Sequence, residues 1–151
     1  MRFSSGFSLV ELMVVLAVIA LLAMLSIPNF TRFVAKAKRA EAYMHLRNLY
    51  LSQKTYFIEN QKYTDKLKGS DSLNWDVAKG SLYYTYGFAG QEGNSNVVGS
   101  LQAPGSLLGK AFADKNSFLI CAAGDIDSDG VSDLISIDNN GKITVEVDDL
   151  A

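Results

Sequence analysis

One run of apolar residues near the start of the chain constrains everything else. From Leu9 to Ile27 nearly every side chain is apolar, and Leu12 to Leu25 carries no polar side chain at all. A helix rises ~1.5 Å per residue, and a bilayer core takes about 20 apolar residues to cross. The stretch from Phe7 to Ile27 meets that length. The overall composition of the 151 residues, 48% hydrophobic and 20% charged, is ordinary for a globular protein and conceals this concentration. Arg2 precedes the run, and Arg32, Lys36, Lys38 and Arg39 follow it. The excess of positive charge lies downstream, so charge counting alone does not fix an orientation.

Two common explanations fit poorly. A secretory signal has a shorter apolar run followed by a small-x-small cleavage site. Neither Ala23-Met24-Leu25 nor Ser26-Ile27-Pro28 supplies one. A plain membrane anchor does not account for Glu11. A carboxylate inside an apolar span is costly unless paired, and Leu9, Val10, Leu12 and Met13 offer it nothing. Glu11 is either hydrated at headgroup level or paired with a positive group from another molecule. We take the second reading as the functional one.

Gly6-Phe7-Ser8-Leu9-Val10-Glu11-Leu12 resembles the processing site of class III signal sequences, found in type IV pilins and the related pseudopilins of secretion systems. The resemblance is dense from Gly6 to about Phe33 and weaker to about Tyr63. It implies cleavage between Gly6 and Phe7 by a prepilin peptidase on the cytoplasmic side, and N-methylation of Phe7 by the same enzyme. It also implies a precursor that spans the inner membrane once, and a mature form in an extracellular pilus built on an inner-membrane assembly platform. Pro28 stands where the family commonly has a helix-kinking proline. A glycine that the family often has in mid-span is here Ala20.

Physical reasoning agrees with this pattern. Cleavage after Gly6 leaves the apolar helix on the mature chain. Glu11 of one subunit can then pair with the Phe7 amine of the next. Misregister would strand both charges in an apolar core, so the pair works as a register device more than as a source of stability. Proline disfavours regular helix in the preceding turn, Met24 to Ile27.

The organisation expected is α+β: a long N-terminal helix, apolar in its first half, packed on a small antiparallel β-sheet head. Residues 1–6 form the leader, 7–28 the transmembrane or filament-core helix, 29–62 its amphipathic continuation and 63–151 the β-rich head. In the continuation, Phe33, Ala37, Ala40 and Met44 recur at helical spacing, and Tyr43, Leu46, Tyr50 and Phe57 do so over a longer reach. Strands are expected at Leu82–Phe88, with Tyr84 and Tyr86 on one face and Tyr83 on the other, and at Ser117–Ala123, Asp133–Asp138 and Lys142–Val147. Asn139-Asn140-Gly141 signals a hairpin between the last two. Gly87 to Gly109, rich in Gly, Ser and Asn, reads as a long surface loop.

Asp125, Asp127, Asp129 and Asp133, with Gly130 among them, have the D-x-D-x-D-G-x-x-D spacing. Alternating aspartates bring oxygens to one centre and the glycine allows a sharp turn, an arrangement suited to calcium. An EF-hand would need glutamate where Ser136 stands, so the loop resembles the shorter calcium loops of extracellular β-rich domains. Some pilins and pseudopilins carry such a loop. Calcium is the expected cofactor, and the alternative is a solvated acidic turn.

No catalytic set is visible, so no enzyme activity is expected. His45 is the single histidine, and Cys121, the single cysteine, lies in an apolar run as a small hydrophobe. The expected function is a structural subunit of a helical homo-oligomeric filament serving adhesion, twitching motility or DNA uptake. With a net charge of -2, nucleic acid is not expected to be its main ligand. The alternatives are a pseudopilin of a type II secretion system and a monomeric membrane-anchored binding domain.

Overall fold

A computed structural model describes residues 6–78 and 80–150, apart from the Pro28 side chain. Residues 1–5, which belong to the expected leader, lie outside the described residues. The chain divides into two compact units, Met1–Val34 and Ala35–Ala151, and the division falls inside the one long helix, α1 (Leu9–Asn60).

In the first unit, Ser8 immediately precedes α1, and its Oγ accepts the Glu11 N–H at 3.2 Å. This satisfies one of the amides that every helix start leaves unpaired. Leu9, Leu16, Leu22 and Leu25 and their neighbours are all exposed. Among the described residues, α1 is the one helix long and apolar enough to cross a membrane. The helix continues through Pro28. Proline has no amide hydrogen to give the Met24 carbonyl. Nearby, Ser26 Oγ donates to Leu22 O at 2.9 Å and Asn29 Nδ2 to Leu25 O at 3.3 Å.

The second unit contains the rest of α1 and an antiparallel sheet. The strands are β1 (Thr85–Gly87), β2 (Asn96–Val97), β3 (Phe112–Ala113), β4 (Phe118–Gly124), β5 (Asp133–Asp138) and β6 (Ile143–Val147). Their order is β2-β1-β4-β5-β6, and β3 pairs with the first residues of β4. The architecture is thus the expected α+β one: a helix packed on an antiparallel sheet.

The helix buries Ala35, Ala42, Leu46, Leu49, Gln53 and Tyr56. These positions follow the i, i+3, i+4, i+7 rule for one face. Of these, Ala35, Ala42, Leu46 and Leu49 join Tyr84, Tyr86, Phe118, Ile120, Ala122, Ile135 and Ile137 in the main core. The first stripe expected from the sequence, Phe33, Ala37, Ala40 and Met44, is exposed instead. The second is closer: Leu46 is fully buried, and Tyr43, Tyr50 and Phe57 pack at the core's edge. α1 ends where Gln61 takes a left-handed conformation, φ 57°, and its N–H bonds Phe57 O at 2.8 Å.

Strand β4 is buried on both faces. Phe118, Ile120 and Ala122 point to the helix, while Cys121 and Ala123 join Ala103 and Leu108 in a smaller cluster on the other side. This explains why β4 reads as a continuous apolar run and not as an alternation. The segment read as a long loop, 87–109, provides that cover. It also contains β2 and a 3-10 turn at Gly105–Leu108. The hairpin at 139–141 forms as expected, with Gly141 at φ 78° and Ile137 paired with Ile143.

Candidate functional site

In the first unit, the residues singled out are Phe7 and Glu11. Both are exposed. Glu11 lies in the first turn of α1, where the positive end of the helix dipole favours an acid. It is also the third helical residue after Ser8, so Ser8-Leu9-Val10-Glu11 is a capping-box sequence. The Ser8 half of that box is formed.

In the second unit, the acidic loop joins β4 to β5. Asp125 turns back on the loop: its Oδ1 accepts the Ser128 N–H at 2.7 Å and its Oδ2 the Gly130 N–H at 3.1 Å. Asp129 accepts the Val131 N–H at 2.7 Å. Left-handed backbone at Gly130, φ 94°, allows the turn. The carboxylates of Asp125, Asp127, Asp129 and Asp149 converge, with one oxygen from each within 4.8 Å of the others.

Asp133 does not join this group, contrary to the expected ligand set. It pairs with Gly124 in the β4–β5 ladder and shares a sheet face with Ile135 and Ile137, so it points toward the helix. There Arg39 grips it with two bonds, Nε to Oδ2 at 3.0 Å and Nη2 to Oδ1 at 2.7 Å. The Tyr84 hydroxyl donates to Oδ2 at 2.6 Å. Burial alone would lower the Arg39 pKa, but its bonds to Asp148 and Asp133 raise it above the ordinary value. Burial, then the bond to Asp133, pushes the Tyr84 phenol up.

Asp149 takes the fourth place. Its Oδ2 accepts the Ile126 N–H at 2.8 Å, while Oδ1 is buried without a hydrogen-bond partner. Burial and the nearby Asp127, Asp129 and Asp125 raise its pKa. Nothing in the sequence pointed to Asp149, because only the strand register carries it back to the loop. Elsewhere in the second unit, Lys66, Lys68, Gly69, Ser70, Gly93 and Asn94 line an open groove of about 440 Å³.

A family model described as type IV minor pilin ComP, DNA uptake sequence receptor, matches residues 28–104, just over half of the chain. The prokaryotic N-terminal methylation motif matches residues 1–27. The chain belongs to the type IV pilin family. It is 34% identical over 122 residues to the type IV major pilin protein PilA of Myxococcus xanthus (strain DK1622), a match covering 81% of this chain and 54% of the relative. The pilin therefore spans about half the length of that curated relative.

The remaining candidates are structural. Cys121 is fully buried, and burial pushes its thiol up to about 12, far from a reactive thiolate. His45 packs edge-on against Trp75 and Tyr86, with Nε2 4.0 Å from Glu41. Tyr84 and Tyr86 are core residues, and Tyr83 faces outward.

Proposed function

We propose that this pilin is a structural subunit of a type IV pilus, processed at Gly6–Phe7, methylated on Phe7 and polymerised through its N-terminal helix. The carrying observation is the exposed apolar half of α1 with one carboxylate, Glu11, in its first turn. Such a surface suits a membrane first and neighbouring copies afterwards. The precursor belongs to the inner membrane and the mature form to the filament. The matched descriptions are of pilins, which favours this reading over the secretion pseudopilin. Intact-mass analysis of filaments sheared from cells should find a chain starting at methylated Phe7. A chain still starting at Met1 would overturn the reading.

A second reading, contact with DNA, is favoured by one observation. The groove carrying Lys66 and Lys68 lies within the span matched by the DNA-uptake receptor model. Phosphate contacts show as salt-dependent affinity, with a log–log slope near -0.9 per phosphate neutralised. Duplex binding should weaken in a Lys66→Ala/Lys68→Ala variant, with a shallower salt slope. An unchanged slope would remove the groove from the interface.

The acidic loop fits calcium. Calcium takes carboxylate oxygens in flexible geometry, and four carboxylates converge here. Asp149, one of the four, also has an oxygen, Oδ1, without a hydrogen-bond partner. Like charges this close repel, and a divalent cation would reverse the sign of that interaction. Asp133 serves the fold through Arg39 and not the ion. Chelation should lower the melting temperature, and Asp127→Ala should abolish the difference. No shift on chelation would sink the calcium reading.

A further inference from the structure

The second unit leaves apolar side chains uncovered on two opposite sides. The first set runs along α1. Met44, Leu51 and Ile58 are 56%, 60% and 74% exposed, and Ala37 and Ala40 extend their line toward the start of the unit. A spacing of seven residues keeps side chains in line along a helix, drifting only about 20° per heptad. At about 100° per residue, this ridge stands about 180° from the buried face at Ala42, Leu46, Leu49 and Gln53. From Met44 to Ile58 it is about 21 Å long. The second set is on the sheet face that α1 does not cover. Pro104, Leu107, Ala123, Val131, Leu134 and Val147 line a groove of about 350 Å³ there. Ala123 and Leu134 belong to the cluster on that face, and Leu107, Val131 and Val147 stand exposed.

Neither surface serves the fold, and exposed apolar side chains gathered in this way mark a place for a partner. One surface is a ridge and the other a groove, so each suits the other in shape and chemistry. Symmetry decides how they combine. Ridge on ridge would be an isologous contact, which closes at two copies, whereas an open filament needs one surface to meet a different one. The ridge is also on the helix whose exposed apolar half is the assembly surface of the filament reading. We infer that the α1 ridge of Met44, Leu51 and Ile58 docks in the groove of Leu107, Val131 and Val147 on a second copy of this chain. This rests on the filament reading above, and adds to it a contact between second units that is separate from the apolar run. Ala37, Ala40 and Met44, apolar yet outside the core, then face a neighbouring subunit.

Disulfide trapping in the full-length chain, in filaments sheared from cells, tests the contact. One cysteine replaces Met44, Leu51 or Ile58 and a second replaces Leu107, Val131 or Val147, and a bridge needs Cα atoms within about 7 Å. Native Cys121 is fully buried and does not compete. A pair in register, such as Leu51→Cys with Val131→Cys, should give a ladder of dimers and longer oligomers on non-reducing gels, and each single variant none. Leu51→Lys should keep its melting temperature, since the position is exposed, yet lower the yield of sheared filaments about tenfold or more by placing a charge in an apolar contact. Asn116→Lys, in an exposed turn outside both surfaces, should change neither. Dimers from Leu51→Cys alone would show ridge on ridge and overturn the groove. A bridge to a different polypeptide would overturn the second copy as occupant. No ladder from any pair in filaments of wild-type yield, or wild-type yield from Leu51→Lys, would overturn the contact and leave the filament reading standing. No wild-type filaments in the sheared fraction would overturn both.

Discussion

At the scale of the residue, the buried ion pair is the most exacting feature of the second unit. Asp133 is fully buried and the Arg39 side chain is 14% exposed. A buried pair adds little over an apolar pair of the same shape, yet removing one partner strands the other charge. Arg39→Ala should therefore cost about 3–5 kcal/mol, read as a lower denaturant midpoint with an unchanged slope. A cost under about 1 kcal/mol, the range of exposed pairs, would show that Asp133 finds other partners. Surface carboxylates set the acid limit. Asp71 is held low by Tyr56 and Lys62, Asp114 by the Asn116 and Ser117 amides, Asp148 by Arg39 and Glu146 by Lys110. For each, the folded pKa lies below the unfolded one. The stabilisation is then complete above the unfolded value near 4 and is lost as pH falls through the folded value. The melting temperature should drop below about pH 4, and less steeply at high salt. A melting temperature constant down to pH 2 would contradict these assignments.

At the scale of the element, what the sequence reveals depends on how much of an element's burial its own residues announce. The apolar half of α1, strands β4 and β5 and the 139–141 hairpin are legible because length, apolar runs and turn residues agree. The buried face of the amphipathic stretch is not. Met44, Leu51 and Ile58 are apolar but exposed, while Gln53 is fully buried with both amide atoms on the Thr64 backbone. Hydrophobic periodicity cannot see a buried glutamine, so the expected stripe rotates off the true face. β2 and β3 are two residues each and exist only through pairing with longer strands. Three of the four converging aspartates carry the expected spacing, whereas Asp133 opens β5 and bonds Arg39, because spacing does not show where a strand begins. These faces can be told apart by truncation. Leu46→Ala should cost about 2–5 kcal/mol, as for a fully buried leucine, and Met44→Ala within about 0.5 kcal/mol of nothing. Thermal melts of the two variants side by side check this, and equal costs would mean that the helix is seated on the wrong face.

At the scale of the whole molecule, the question is what Glu11 contributes, because two physical roles converge on it. As the third helical residue, the acidic position of a capping box, it suits the start of α1, a role that glutamine also fills. As a charge it can pair with the Phe7 amine of a neighbouring subunit, and glutamine cannot do that. Glu11→Gln separates the two. The variant keeps the cap and removes the charge, which also eases passage into the bilayer, where a central acid costs about 2.5–3.5 kcal/mol. If the charge is the register device, Glu11→Gln should insert in the membrane, be processed at Gly6 and keep its melting temperature, yet give few or no filaments in the sheared fraction. The second unit should be indifferent, since its core begins at Ala35 and contains no residue of the apolar run. Ser8→Ala is the converse: it removes the hydroxyl that caps Glu11 N–H, retains the charge and should leave assembly largely intact. Filaments from Glu11→Gln at wild-type yield would assign Glu11 to the helix start, and assembly would then rest on apolar packing alone.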